Sequence, residues 1–409
     1  MKKPELLSPA GTLKNMRYAF AYGADAVYAG QPRYSLRVRQ NDFKHLDNLK
    51  TAIDETHTLG KKFFLATNLL PHNAKLKTFI DDMEPIIAMQ PDALIMADPG
   101  LIMLVRERWS DVPIHLSVQA NTMNYAAVKF WKNFGLTRII LSREISLDDV
   151  AEIREQCPDI ELEVFIHGAL CIAYSGRCLL SGYMNHRDAN QGTCTNACRW
   201  EYKVQEPKRP DDPMPIMEDE NGTYIMNSKD LRAVQHVEQL MDIGIDCLKI
   251  EGRTKSHYYA ARTAQVYRQA IDNKAAGKPF DMNLMAELEK LANRGYTEGF
   301  FRRHVPEAYQ NYETGNSLHQ RQQFVGEIIS QDKNLLEIDV KNRFSVGDRL
   351  ELMSAQAQPE YFTLEHIENK KGESISVAPG SGHIVRIRKP INSEFKYGLL
   401  LRELQGDDK

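Results

Sequence analysis

The chain of 409 residues is expected to fold as an α/β protein: a (β/α)8 TIM-like barrel followed by a small C-terminal antiparallel β-barrel. Three observations carry this expectation. Short apolar runs alternate with amphipathic segments through the first two-thirds of the chain. One interval between runs is far longer than the rest and holds a cluster of cysteines. Beyond residue 322 the helical period gives way to short alternating runs divided by turn residues.

The apolar runs are Glu5–Leu7, Asp25–Ala29, Lys62–Thr67, Ala93–Ala97, Ile114–Val118, Arg138–Leu141, Leu162–Ile166 and Cys247–Ile250, eight in all. Between them Thr12–Tyr22, Lys75–Met89, Tyr125–Phe134, Leu147–Gln156 and Ser228–Ile243 carry apolar residues at spacings of three and four, the pattern of one-faced helices. Repeated strand–helix units of even spacing predict a closed parallel barrel, with a doubly wound open sheet as the alternative. The long interval between the seventh and eighth runs predicts an insertion over about 167–245, within a barrel domain of 1–304. A helix around Leu284–Ala292 and a linker over 305–322 follow. Over 323–409, runs such as Phe324–Ile329, Leu335–Val340, Asp348–Leu352, Tyr361–Leu364, Ser374–Val377 and Ile384–Arg388 predict the second domain.

In a barrel the residues just past each strand converge on one mouth, and that C-terminal face is where barrel enzymes place their active sites. Here those residues are Ser8, Gly30 with Gln31, Asn68, Asp98, Gln119 with Asn121, Arg143 with Glu144, His167 with Gly168, and Glu251-Gly252-Arg253. Arg143, His167, Glu251 and Arg253 form the expected catalytic set, with the cations holding an anionic small molecule. Asn68, Asp98, Gln119, Asn121, Arg33, Arg37 and Arg177 are the expected substrate-binding residues. Strand ends also supply helix caps and close loops, so a share of this set has that structural role instead.

Lys and Arg total 52 against 55 Asp and Glu, a net charge of -3, which excludes a protein coated in positive charge but not a local nucleic-acid face. The start Met1-Lys2-Lys3-Pro4-Glu5 lacks the apolar core of a secretory signal, and no apolar stretch is long enough to span a bilayer. No membrane association and a cytoplasmic location are therefore expected.

Four of the six cysteines, Cys171, Cys178, Cys194 and Cys198, fall within 28 residues. In a reducing compartment such a group points to metal ligation rather than disulfides. Zinc favours close cysteine pairs, and only Cys194-Thr195-Asn196-Ala197-Cys198 resembles one; the wide interval from Cys171 to Cys178 suits an iron–sulfur centre, and both stay open on spacing. A cysteine nucleophile paired with His167 would need its thiol free of ligation. Cys157 and Cys247 read as small buried hydrophobes.

The block from Glu163 to Ser181, reading EVFIHGALCIAYSGRCLLS, resembles the signature of the U32 peptidase, or collagenase-like, family. Leu7–Gly11, Gly23–Gly30, Ser117–Gln119 and Lys249–Arg253 resemble that family's other blocks, so the likeness runs from Glu5 to about His304. The segments Arg33–Arg37 and Gly192–Trp200 are most similar to a bacterial branch that hydroxylates tRNA. That resemblance implies 5-hydroxylation of wobble uridine in the tRNA anticodon loop, with a prephenate-linked oxygen source and a [4Fe–4S] cluster on Cys171, Cys178, Cys194 and Cys198; zinc is then the minor alternative. It leaves a peptidase and a non-catalytic, cluster-bearing tRNA-binding partner as alternatives. The sequence has neither a Gly-x-Ser-x-Gly elbow nor a His-Glu-x-x-His helix.

Between Arg253 and Arg303 ten basic residues stand against five acidic ones, interleaved with Tyr258, Tyr259, Tyr267, Tyr296, Phe300 and Phe301. Arginine with aromatics suits unstacked RNA bases, while an eighth barrel helix with its aromatics in the core explains the same pattern.

Overall fold

A computed structural model describes residues 2–36, 41–170, 178, 180–188, 195, 197, 203–206, 209–215, 229–293, 295–302, 322–355, 359–390 and 394–404. Seven strands, β1 (Glu5–Pro9), β2 (Ala26–Gly30), β3 (Lys62–Ala66), β4 (Ala93–Met96), β5 (Ile114–Leu116), β6 (Arg138–Ile140) and β7 (Glu161–Ala169), pair in parallel in sequence order. A hairpin of β8 (Lys203–Glu206) and β9 (Arg209–Pro215) and a short strand β10 (Asp230–Arg232) precede β11 (Cys247–Ile250). β11 pairs with both β7 and β1, which closes an eight-stranded parallel barrel on the eight expected runs.

The helices after the strands are α1 (Leu13–Ala21), α2 (Leu46–Thr58), α3 (Asn73–Ile87), α4 (Pro99–Arg108), α5 (Tyr125–Asn133) and α6 (Leu147–Gln156). α7 (Leu180–Asn185) lies in the insertion; α8 (Val237–Ile243), α9 (His257–Ala275) and α10 (Asn283–Glu289) complete the domain. Their starts are chemically marked. Thr12, Asn124 and Ser256 accept from backbone N–H groups in the first turns of α1, α5 and α9, and Ser146 with Asp149 forms a reciprocal capping box on α6.

One sequence expectation changes, and one of two readings left open is settled over α9. The helix expected over Ser228–Ile243 begins only at Val237, because Asp230–Arg232 extends the sheet instead, pairing antiparallel with His167–Ala169 at the end of β7. Those backbone groups find sheet partners that a local window cannot foresee. In addition, α9 is a core helix: Tyr258, Tyr259 and Tyr267 are buried, and Arg262 is 1% exposed between Glu287 and Glu351. Arg268 pairs with Asp25 and Lys274 with Asp242. The aromatic and basic pattern there therefore builds the core and its ion pairs. Arg294, Arg303 and the expected linker up to residue 321 lie outside the described residues.

After β12 (Tyr296–Thr297), the C-terminal strands are β13 (Gln322–Gln331), β14 (Leu335–Val340), β15 (Phe344–Ser345), β16 (Arg349–Met353), β17 (Glu360–Thr363), β18 (Ile367–Asn369), β19 (Ser374–Ile375), β20 (Val377–Ala378), β21 (Ile384–Arg388) and β22 (Leu399–Glu403). Eight of them form one antiparallel sheet in the order β17-β16-β22-β13-β14-β21-β18-β19, and β15 pairs with β20. Val325, Ile338, Phe344, Leu350, Ile367 and Ile387 share one core, and among the described residues the end strands β17 and β19 do not pair, so the expected barrel is realised as a half-barrel. Polar contacts join the two domains. Tyr22 donates to the Tyr397 carbonyl at 2.9 Å; Glu351, fully buried, receives Arg262, Lys290 and Gln322. Glu327 receives Lys14 and His257; burial alone would raise its pKa, but these partners hold it down to about 2. No helix among the described residues is long and apolar enough to cross a membrane.

Candidate functional site

Side chains alternate along a strand, so Cys247, Lys249 and Glu251 of the β11 region share one face, as do Glu161, Glu163 and Phe165 of β7. In this barrel those faces point inward. Barrel interiors are ordinarily filled by branched apolar residues, but this one holds a chain of buried charges. Lys249 Nζ lies 2.7 Å from Glu163 Oε1; Arg138 Nη1 lies 3.2 Å from Glu163 and 2.8 Å from Glu5, and Arg138 Nη2 lies 2.8 Å from Glu161. Burial would raise the Glu5 pKa, yet Arg138 and Lys62 bring it below the ordinary carboxylate value. Desolvation makes such ion pairs poor stabilisers, so their presence in the barrel axis is better explained by the cavity above them.

That cavity, of about 60 Å³, lies at the C-terminal ends of the strands. Asn68, Ser117, Gln119, Arg143, Lys249, Glu251 and Arg253 supply its polar wall; Tyr28, Phe165, Ala66, Ile95 and Ile140 are among its apolar lining. Arg143 stacks on Phe165, its guanidinium carbon 3.8 Å from the ring centroid, and lies 3.7 Å from Glu251. Arg253 Nη1 donates to Ser35 Oγ at 2.7 Å, and its guanidinium passes so close to β2 that a Cβ on Gly30 would sit 2.7 Å from it. The Tyr28 hydroxyl is 3.0 Å from the Ile250 carbonyl and 3.2 Å from Glu251 Oε2; burial, then the Glu251 charge, push its pKa well up, so it is a donor rather than a phenolate. Asn68 donates to Ser117 Oγ at 3.1 Å. Among the described residues, three cations against one wall carboxylate make the cavity a receptor for a small anion, with amide and hydroxyl groups to orient it.

Of the residues singled out in the sequence, Asn68, Gln119, Arg143, Glu251 and Arg253 meet in this cavity. Asn121 does not line it: it is held in a left-handed turn with φ of 55° and accepts from Ser142 Oγ at 2.8 Å. Asp98 is an N-cap, accepting from Leu101 N at 2.9 Å to start α4. Arg33 pairs with Asp82 at 2.8 Å on the outer surface. Arg37 and Arg177 lie outside the described residues. Lys249, Tyr28 and Ser117 are the additions. The period-2 alternation of Cys247-Leu248-Lys249-Ile250-Glu251, with a lysine on the inward face, was the signal for the first of them.

His167 stands apart from the cavity, on the stretch of β7 that pairs with β10. The rings of Tyr259, Tyr267 and Tyr296 surround it, with centroids 5.5–5.8 Å away. Burial, with Lys255 and Arg232 nearby, pushes its pKa down to about 3, so it is a neutral imidazole and supplies no cation for an anionic ligand. Tyr267 Oη gives its proton to the Ile166 carbonyl at 2.7 Å, so its 3.3 Å contact with His167 Nδ1 requires Nδ1 to carry the hydrogen. The next residue, Gly168, has φ of +106°, and a Cβ there would lie 2.4 Å from the Glu251 carbonyl oxygen; only glycine permits this approach of β7 to the cavity wall.

Among the cluster candidates, Cys178 is described and half-buried, while Cys171, Cys194 and Cys198 lie outside the described residues. Cys178 immediately precedes the region of α7, whose Ser181 exchanges a 2.8 Å hydroxyl contact with Thr195 and accepts from Thr195 N at 3.0 Å. Asn185 of the same helix donates to Thr195 Oγ1 at 3.1 Å. The peptides that follow Cys178 and Cys194 in sequence are thus tied together. Cys157 and Cys247 are buried apart from them, and burial raises both thiol pKa values.

Residues 11–311 match the sequence model of peptidase family U32, and residues 320–402 that of the peptidase family U32 C-terminal domain. Over 447 aligned residues the chain is 60% identical to the tRNA hydroxylation protein P of Escherichia coli (strain K12), covering 100% of this chain and 98% of that one. It is 59% identical to the protein of the same description from Haemophilus influenzae, over 98% of this chain and 96% of that one. To the 23S rRNA 5-hydroxycytidine C2501 synthase of E. coli it is 30% identical, over 95% of this chain and 59% of that one.

Proposed function

The chain belongs to the peptidase U32 family, and on that premise we propose that it is a tRNA-modifying enzyme that hydroxylates C5 of the wobble uridine, using a prephenate-linked oxygen source and a [4Fe–4S] cluster. The observation that carries the reading is the 60% identity, along the whole chain, to a protein described as acting in tRNA hydroxylation. The likeness to an rRNA hydroxycytidine synthase supports the same chemistry on a pyrimidine ring. The cationic cavity supports a small anionic co-substrate, since among the described residues its wall carries Arg143, Lys249 and Arg253 beside the amides of Asn68 and Gln119.

Replacing C5–H by C5–OH is a two-electron oxidation, and it balances if the donor gives up a hydroxyl oxygen and is itself reduced by two electrons, R–OH leaving as R–H. In this reading Arg143 and Arg253 hold the donor's carboxylate by charge-assisted hydrogen bonds, and Phe165 and Tyr28 fix the planes of the two guanidinium groups. Asn68 and Gln119 orient the donor, while Tyr28 and Glu251 hold a proton between their oxygens at the cavity wall. Cys171, Cys178, Cys194 and Cys198 are the proposed cluster ligands; the tie between α7 and Thr195 supports their convergence. The cluster would supply electron transfer or activation of the oxygen source. The cytoplasm, where tRNA and its reductants are found, is the proposed location.

Purified, anaerobically prepared protein should install one oxygen on the wobble uridine of unmodified tRNA when prephenate is present, read by mass spectrometry of the nucleosides. A chain that binds tRNA but leaves it unmodified under all donor conditions would favour the non-catalytic partner. Cleavage of a collagen-like peptide at a comparable rate would favour the peptidase.

A further inference from the structure

Beneath the two arginines lies a cation that the anion clamp described above does not use. Lys249 is 3% exposed and lines the cavity from its barrel side. Its ammonium sits between two rings, 4.3 Å from the Tyr28 centroid and 5.4 Å from that of Phe165. An ammonium carries three N–H donors. One meets Glu163 Oε1 at 2.7 Å, and among the described residues Nζ has no second hydrogen-bond acceptor. Ring faces are weaker partners than an oxygen acceptor, so the two remaining N–H donors of this buried ammonium have only π-faces to meet where Lys249 lines the cavity. Glu163 does not cancel the charge alone, because its other oxygen is shared with Arg138 at 3.2 Å.

We propose that Lys249 is the carboxylate seat of this cavity: a small carboxylic acid enters with one carboxylate on the Lys249 ammonium, below the arginines at the rim. The assignment deepens the donor-binding reading above and rests on it for the donor's role, though not for the seat itself. A flat, singly charged carboxylate matches one ammonium in a slot between two aromatic rings better than a tetrahedral phosphate does. Lys249 Nζ is engaged with the Glu163 carboxylate, 0% exposed, at 2.7 Å, and forming an imine with a keto group would break that ion pair and leave Glu163 to Arg138 alone, so the residue's role is to bind.

The test is calorimetric titration of the full chain with prephenate, malonate and inorganic phosphate, comparing wild type with Lys249→Met. Methionine keeps the length of the stem, and Arg138 still neutralises Glu163, so the variant should fold; Glu163→Gln/Lys249→Met, which removes the pair together, is the second variant should it not. Carboxylate binding should weaken roughly ten- to a hundredfold in both, the loss expected for one charge-assisted contact. The KM for the donor should rise in proportion, with kcat at saturating donor within about threefold. Carboxylate affinity unchanged by either variant overturns the seat, as does phosphate binding more tightly than both acids. A Lys249 adduct trapped by borohydride also overturns it. If malonate binds through Lys249 and prephenate does not, the seat stands and the donor named above is wrong; if neither acid binds wild type, the seat does not exist.

Discussion

Replacing Arg253 by lysine keeps the charge at the cavity rim and removes the planar fork, so it separates a bidentate anion clamp from a mere positive patch. Wild-type Nη1 donates to Ser35 Oγ at 2.7 Å, which anchors the plane of the guanidinium at the cavity wall. The side chain is 8% exposed, so water cannot replace what is lost. A lysine ammonium cannot hold Ser35 and a ligand carboxylate in the same fixed geometry. Loss of one charged hydrogen bond costs on the order of 1.5–3 kcal/mol, which is roughly ten- to a hundredfold in donor affinity. Gly30→Ala should act on the same contact from the other side, because its Cβ would come within 2.7 Å of both Arg253 Nη1 and Ser35 Oγ. The assay is wobble hydroxylation in a deletion strain complemented with each variant, with donor titration and melting temperature of the purified proteins. Full modification by Arg253→Lys, with donor affinity within about threefold of wild type, would refute the clamp. A lowered melting temperature with modification intact would assign Arg253 to loop anchoring instead.

Alanine at Cys171, Cys178, Cys194 or Cys198 should remove iron and visible absorption from anaerobically purified protein, whereas alanine at Cys157 or Cys247 should not; stoichiometric zinc in the wild type would sink the cluster assignment. Stability should fall on acidification between about pH 6.5 and 5. His115 and His167 are buried neutral with pKa values pushed below the ordinary histidine value, the latter to about 3, so the unfolded chain binds more protons and the stability they confer is present above the unfolded pKa and lost below it. Each contributes a limiting slope of about 1.4 kcal/mol per pH unit, and His115→Leu should reduce the combined slope by half in denaturant titrations at several pH values. Arg262→Met strips one of three donors from fully buried Glu351 at the join of the two domains. Because Lys290 and Gln322 remain, we expect a loss of about 3 kcal/mol, the low end for a broken buried ion pair, measured by urea unfolding; a change below about 1 kcal/mol would contradict the interface described here.

Much of this protein was legible along the chain. The eight barrel strands appear as apolar runs because a strand enclosed by both barrel and helices is apolar over a few consecutive residues, a property of a local window. The rim residues were legible for the same reason: once a strand's end is known, the residue after it is at the mouth. The cysteines announced themselves by clustering, and the family blocks by their order of residues. Tertiary structure decided which rim residues share a cavity. Asp98 turned to cap α4, Asn121 turned into a loop and His167 into a cage of tyrosines, while Asn68, Gln119, Arg143, Glu251 and Arg253 converged. That choice depends on strand tilt and stagger around a closed barrel, set by pairings between residues far apart in sequence. Lys249 shows the division most clearly. Its alternation with Glu251 is written in the sequence, but its partner Glu163 lies 86 residues away, and only closure of β11 onto β7 turns an isolated lysine in an apolar strand into a buried ammonium beneath an anion cavity.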